Sequence, residues 1–177
     1  VYRAYSISNP DYRNRVVELI VRLVPGGIGS TYLHNVQPGE TVIFTGPYGE
    51  FRLDENPDTE IVCVGGGCGM TLERWPERAV WLFFGCRTTR DTFYLDEFGR
   101  LENEHPNFRV VYALSDTEPD TCWTGETGFV HLSVEKYLEP GAERQAFLCG
   151  PPPMIEATTK VFEGKGMDPS DWYYDEF

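Results

Sequence analysis

The stretch VCVGGGCGMTLERWPERAVWLFFG, Val62 to Gly85, decides the fold of this chain. It holds two apolar runs, each of the length of a buried strand, and a glycine cluster closes the first. If the two runs are neighbouring parallel strands, the chain needs a crossover of roughly a dozen or more residues between them, usually containing a helix. Only fifteen residues, Met70 to Phe84, follow the glycines before the second run is complete, and Thr71 to Ala79 leaves nine for the passage. Nine residues that include Pro76 cannot both form a helix and return to the far end of a sheet.

Beyond Asp58 the same alternation continues. Strands expected at 61–65, 80–85, 108–114 and 145–149 are separated by helical stretches near 91–104, 129–138 and 152–164. That order predicts a parallel sheet covered on both faces, an α/β domain. Upstream, VVELIVRLV (Val16 to Val24) and TVIFT (Thr41 to Thr45) set β-branched residues between Gly and Pro punctuation and predict antiparallel strands. Between them, GGIGSTYLHNV offers Ser30 and Thr31 as caps of a short helix whose first amides face a ligand. The pattern changes within the polar segment Asp54 to Glu60, so the expected domains are 1–58 and 59–177.

Composition narrows the function. A formal charge of −13 over 177 residues argues against nucleic acid as a partner, because neutralising phosphates takes clustered Lys and Arg. No run approaches the ~18 consecutive apolar residues of a membrane span, and Val1 does not open a signal peptide. The five cysteines, Cys63, Cys68, Cys86, Cys122 and Cys149, read as free thiols of a reducing compartment. Cys63 and Cys68 have the first spacing of a plant-type iron–sulfur site, but the next ligand would fall on Thr71, so no cluster and no metal is expected in this chain. His34, His105 and His131 lie in unrelated contexts and read as surface or packing residues.

In a doubly wound sheet a ligand sits beyond the carboxyl ends of the strands. Here the ends are Gly65-Gly66-Gly67-Cys68-Gly69, Gly85-Cys86-Arg87, Leu114-Ser115-Asp116 and Cys149-Gly150-Pro151-Pro152. Glycines after the first strand let backbone amides reach a pyrophosphate and aim a helix N-terminus at it. The match to G-x-G-x-x-G is imperfect, since Met70 stands where the third glycine would be, and a tight turn before a helix explains the cluster equally well. Cys149 places a polarisable thiol at a strand terminus, and the prolines behind it fix the entry of the next helix. Asp116 would accept hydrogen bonds from a ribose diol and repel a 2′-phosphate, which favours NADH over NADPH, although an ordinary turn aspartate fits the same position.

Taken together, GGGCGM, LFFGCRTTRDTFYLDEF, CGPPPM and the terminal YYDEF resemble the ferredoxin-NADP reductase superfamily. Upstream, RAYSISNP, GGIGSTYL and GPYGEF are similar to that superfamily's flavin segments, so the resemblance covers essentially the whole chain. Within it the motifs are similar to the F subunits of Na+-translocating NADH:quinone oxidoreductases and to the reductase components of aromatic oxygenases. The resemblance implies a partial antiparallel β-barrel that binds FAD, with strands missing before Val1, followed by an NADH-binding α/β domain. It also implies that about ten residues of a complete crossover are absent after Met70.

The resemblance implies roles for individual residues. Arg3 would pair with the FAD pyrophosphate, Ala4 belongs to the same segment, Tyr5 would lie against the isoalloxazine, and Ser6 would bond near flavin N5. Gly29, Ser30 and Thr31 would approach the pyrophosphate, and Phe177 would cover the opposite flavin face and move aside for nicotinamide. NADH would be held by Gly66, Gly67, Cys68, Gly69, Met70, Gly85, Cys86, Arg87, Asp116, Cys149, Gly150, Pro151, Pro152 and Met154, with Thr88 and Arg90 near the adenosine. Ser6, Cys149 and Phe177 would stand at the reacting rings.

The expected activity is hydride transfer from NADH to FAD, with single electrons passing to a [2Fe–2S] centre on a separate ferredoxin-type domain and on to quinone. The expected partners include other subunits of a membrane redox complex. The expected location is the cytoplasmic face of the inner membrane, or the cytoplasm for an oxygenase reductase. A non-redox nucleotide-binding module remains the rival from another class. A hydrolase is disfavoured by the lack of G-x-S-x-G.

Overall fold

In a computed structural model of the chain, residues 2–9, 15–21, 23–49, 53–65, 77–116 and 122–176 are described. The chain divides into two compact units, Val1–Gly49 and Glu50–Phe177.

In the first unit Ile7 and Leu19 form an antiparallel bridge, with the Ser8 amide donating to the Glu18 carbonyl at 2.9 Å. Asn9, buried, clamps the two segments by donating to the Val16 carbonyl and accepting from the Glu18 amide. Helix α1 runs Ile28–Asn35, capped by Gly27 in an extended conformation with no side-chain cap bond. Ser30 therefore does not cap the helix. It lies one turn inside, where its hydroxyl accepts from the Val24 amide at 3.1 Å and fastens the Val24–Gly27 turn. The expected strand at 41–45 has no ladder partner among the described residues, and Ile43 and Phe44 stand exposed. A β-branched run becomes a strand only when cross-strand neighbours exist to pack and bond it.

The second unit is a six-stranded parallel sheet: β1 (Glu60–Val64), β2 (Val80–Cys86), β3 (Phe108–Leu114), β4 (Glu126–Thr127), β5 (Arg144–Gly150) and β6 (Trp172–Glu176), in the order β4-β3-β2-β1-β5-β6. As the two apolar runs predict, β1 and β2 are parallel neighbours, with Ile61 beside Val80 and Val64 beside Phe83. The shortened passage itself, 66–76, lies outside the described residues. On the other side of β1, Val62 pairs with Ala146 of β5.

Because side chains alternate along a strand, β1 feeds two cores. Ile61 and Cys63 face one side, where Val80, Leu82 and Phe108 join them against Phe98 of helix α2 (Leu95–Glu104). Val62 and Val64 face the other, with Phe83, Ala146 and Leu148. There they meet Val130 and Val134 of α3 (Val130–Tyr137) and Ile155 and Phe162 of α4 (Pro152–Gly164). Helices thus cover both faces, as the near-continuous apolar strands require.

Helix α2 starts later than its sequence pattern suggests. Asp91 Oδ2 accepts from both the amide and the hydroxyl of Thr88, holding a separate short turn at Thr89–Asp91. Tyr94 then takes a left-handed conformation, φ 57°, before the helix proper begins.

The polar segment ahead of β1 is tied to the sheet unit. The Asp54 amide donates to Gln145 Oε1 at 2.7 Å, and buried Arg78 donates to the carbonyls of Thr59 and Asp54 at 2.5 and 2.7 Å. Among the cysteines, Cys86, Cys122 and Cys149 are free, but Cys63 is disulfide-bonded. The free-thiol reading fails there because pairing depends on spatial proximity, which composition does not report.

Candidate functional site

From β1 the chain winds outward through β2, β3 and β4, then returns to the opposite side of β1 to lay down β5 and β6. The direction reverses between β1 and β5, and the crevice at their carboxyl ends is where a doubly wound sheet admits a ligand. Gly65 and Cys149 stand there. Gly65 has φ +117°, and a Cβ on it would run into the Cys149 carbonyl oxygen, so only glycine lets the two strand ends lie this close. Gly150 is covered by its own helix: an added Cβ would come within 3.0 Å of Met154 Sδ. Pro152 begins α4, where a missing amide hydrogen costs nothing.

Cys149 is half-buried, and the β5–β6 register sets it beside Asp175. Burial first, and Asp175 second, push its thiol up from the ordinary value. A thiol pushed this way is a poorer nucleophile near neutral pH than an ordinary cysteine. Asp175 was missed in the sequence because register alone joins it to Cys149. The period-2 pattern of WYYDE was the available signal.

The end of β2 behaves differently from expectation. Gly85 makes room for helix α3, since an added Cβ would meet Val130 Cβ at 3.0 Å. Cys86 is buried beside Phe84 and Leu114, and its thiol donates to the Asp91 carbonyl at 3.5 Å. Burial, then Asp91, push this thiol up to about 12. Its contribution to stability is complete below the ordinary value of 9.0 and is lost as pH rises through about 12. With iodoacetamide at mildly alkaline pH, peptide mass spectrometry should find exposed Cys122 modified first and Cys149 slowly. Cys86, buried and with its thiol pushed up, should react slowest of the three. Rapid Cys86 labelling of folded protein would contradict this packing.

Past the ends of β2 and β3 the ladder continues: the Ser115 amide donates to the Cys86 carbonyl at 2.9 Å and the Asp116 amide to the Arg87 carbonyl at 2.7 Å. Arg87 Nε and Nη2 both donate to Asp116 Oδ2, at 3.0 and 2.9 Å. Two residues read separately as nucleotide contacts are thus partners. Thr88 is engaged by Asp91. Gly66, Gly67, Cys68, Gly69, Met70 and Phe177 lie outside the described residues.

In the first unit two of the three segments that resemble flavin motifs, RAYS and GGIGS, come together. A Cβ on Gly29 would collide with the Tyr5 hydroxyl and approach Arg3 Cγ to 3.0 Å, so the RAYS segment crosses the first turn of α1. First-turn amides of a helix lack intrahelical acceptors, and α1 has no side-chain cap to take them. An arginine fork, a phenol ring and open helix amides beside one glycine suit an aromatic dinucleotide with a pyrophosphate, and these residues fit FAD. Ser6 and Thr31 are exposed, whereas the Ser30 hydroxyl is committed to the Val24–Gly27 turn and can offer only its amide.

This pairing of a flavin-type first unit with a doubly wound, switch-point second unit defines a ferredoxin reductase-like FAD- and NAD-binding fold. The family model for oxidoreductase FAD-binding domains matches residues 1–53 and that for oxidoreductase NAD-binding domains residues 58–160. The chain belongs to the oxidoreductase NAD-binding domain family. It is 36% identical over 199 aligned residues to the F subunit of the Na(+)-translocating NADH-quinone reductase of Methylococcus capsulatus, covering 99% of this chain and 49% of that protein. The chain thus spans about half the length of the curated relatives it matches. Among solved structures it is similar to the Amycolatopsis cytochrome P450 reductase GcoB (TM-score 0.81, 32% identity, 98% of this chain and 55% of that one). It is also similar to the ferredoxin reductase in carbazole 1,9a-dioxygenase (TM-score 0.77, 28% identity, 100% of this chain and 56% of that one).

Proposed function

We propose that this chain is the FAD- and NADH-binding part of an NADH dehydrogenase that passes electrons toward quinone, as the names of its NADH-quinone reductase relatives suggest. The observation that carries the reading is the presence in one chain of two binding grounds, the Arg3–Tyr5–Gly29 cluster and the Gly65 and Cys149 strand ends at the point where the strand order reverses. Bound FAD would supply hydride acceptance at N5 and release of electrons one at a time.

The chain's own residues do the rest. Arg3 and the α1 amides hold the pyrophosphate, Tyr5 gives the ring a plane, and Ser6 offers a hydroxyl near N5. In the second unit Cys149 and Gly150 would shape the nicotinamide pocket, and Asp116 would take the adenosine ribose. Correct ring placement matters more here than acid–base chemistry, since hydride transfer depends on contact distance and alignment.

The electron acceptor would be a [2Fe–2S] centre on a ferredoxin-type domain, with other subunits of a membrane redox complex beyond it. No helix among the described residues is long and apolar enough to cross a membrane. We place the protein's working location at the cytoplasmic face of the inner membrane, held there by its partners. The similarity to two oxygenase-linked reductases supports a second reading, a soluble oxygenase reductase component.

The test is steady-state NADH oxidation by FAD-loaded protein with ferricyanide as a one-electron acceptor. Turnover with NADH, and far less with NADPH, is expected. A flavin-loaded protein that oxidises neither would overturn the proposal.

A further inference from the structure

We infer that Arg87 is a latent 2′-phosphate ligand kept out of use by Asp116, so that the pair, rather than the Asp116 charge alone, selects NADH. This deepens the reading that the adenosine lies at the ends of β2 and β3 and rests on it. Arg87 and Asp116 project from backbone fixed by the extended ladder, through the 2.7 Å bond between the Asp116 amide and the Arg87 carbonyl. Both guanidinium bonds fall on Oδ2, and among the described residues Oδ1 takes none. A carboxylate has a second oxygen to accept from a neutral ribose hydroxyl while the cation is engaged on the first.

A guanidinium fork suits phosphate oxygens as well as it suits a carboxylate. A 2′-phosphate arriving here must compete with Asp116 for the fork and meets a negative charge beside it. The ion pair is solvent-exposed, with 81% and 51% side-chain exposure, and such pairs hold weakly. Neutralising Asp116 then has two effects: it removes a repulsion, and it releases a cation. Simple repulsion predicts only the first, which does not depend on Arg87.

The experiment is calorimetric titration of the chain, wild type and variants, with 5′-AMP and with 2′,5′-ADP. Asp116→Asn should raise affinity for 2′,5′-ADP by roughly tenfold or more, as a released charge-assisted contact implies. Adding Arg87→Gln to that variant should remove most of the gain. If the double variant gains as much as Asp116→Asn alone, repulsion is the whole effect and the inference is wrong. It is equally wrong if Asp116→Asn gains nothing while 5′-AMP still binds. Wild-type protein that binds neither nucleotide would defeat the adenosine assignment itself, and the inference with it. Circular dichroism of each variant guards against loss of fold.

Discussion

Gly65→Ala is expected to destabilise the second unit by about 3 kcal/mol or more, a sum of backbone strain and overpacking. At φ +117° an alanine lies outside the regions open to L-residues, including the left-handed one. Its Cβ would also strike the Cys149 carbonyl, which belongs to the strand hydrogen-bonded to β1 along its length. Neither atom is a flexible side-chain end, so β1 and β5 must part. The same displacement opens the switch-point crevice, and NADH binding should fall even where the variant remains folded. Gly99→Ala is the control: Gly99 lies inside α2 with open space around it, and alanine there should stabilise by up to about 1 kcal/mol. Urea denaturation measures both, and a Gly65→Ala midpoint equal to wild type would show that the strand ends do not meet as described.

The second large effect concerns flavin. Arg3→Ala should weaken FAD binding roughly 10- to 100-fold, the range of one charge-assisted contact. Gly29→Val should weaken it too, because the new side chain pushes Tyr5 and Arg3 away from the first turn of α1. These neighbours are side chains near the surface, so the loss should appear in the FAD dissociation constant with little change in unfolding midpoint. Fluorescence titration with FAD reads the effect directly. Unchanged affinity in both variants would remove the Arg3–Tyr5–Gly29 cluster from the flavin site.

The four inner strands were legible because each is a buried apolar run between turn signals, and burial on both faces leaves the sequence little freedom. The edge strands were not. Glu126–Thr127 is too short and polar to carry a period, and WYYDE reads as a tail until β5 supplies a partner. Position in the sheet also decided the sites. Gly65 and Cys149 could be nominated as strand ends, but their approach across the ladder is a fact of register, as is the proximity of Asp175 to Cys149. The motifs containing Arg87 and Asp116 could be read one at a time, yet the bond between them spans 29 residues and belongs to the fold alone. Ser30 shows the opposite limit: its residue type suggested a cap, and Gly27 took that place because the Gly26–Gly27 turn enters the helix earlier than a Ser-first pattern implies.

Hydride arrival at a flavin held by this chain is the premise on which the functional account stands, and anaerobic titration of the FAD-loaded protein with NADH tests it most directly. The account predicts that the yellow flavin absorbance bleaches with one NADH consumed per FAD. Protein that stays colourless after incubation with FAD, or flavin that stays yellow under excess NADH, would contradict it.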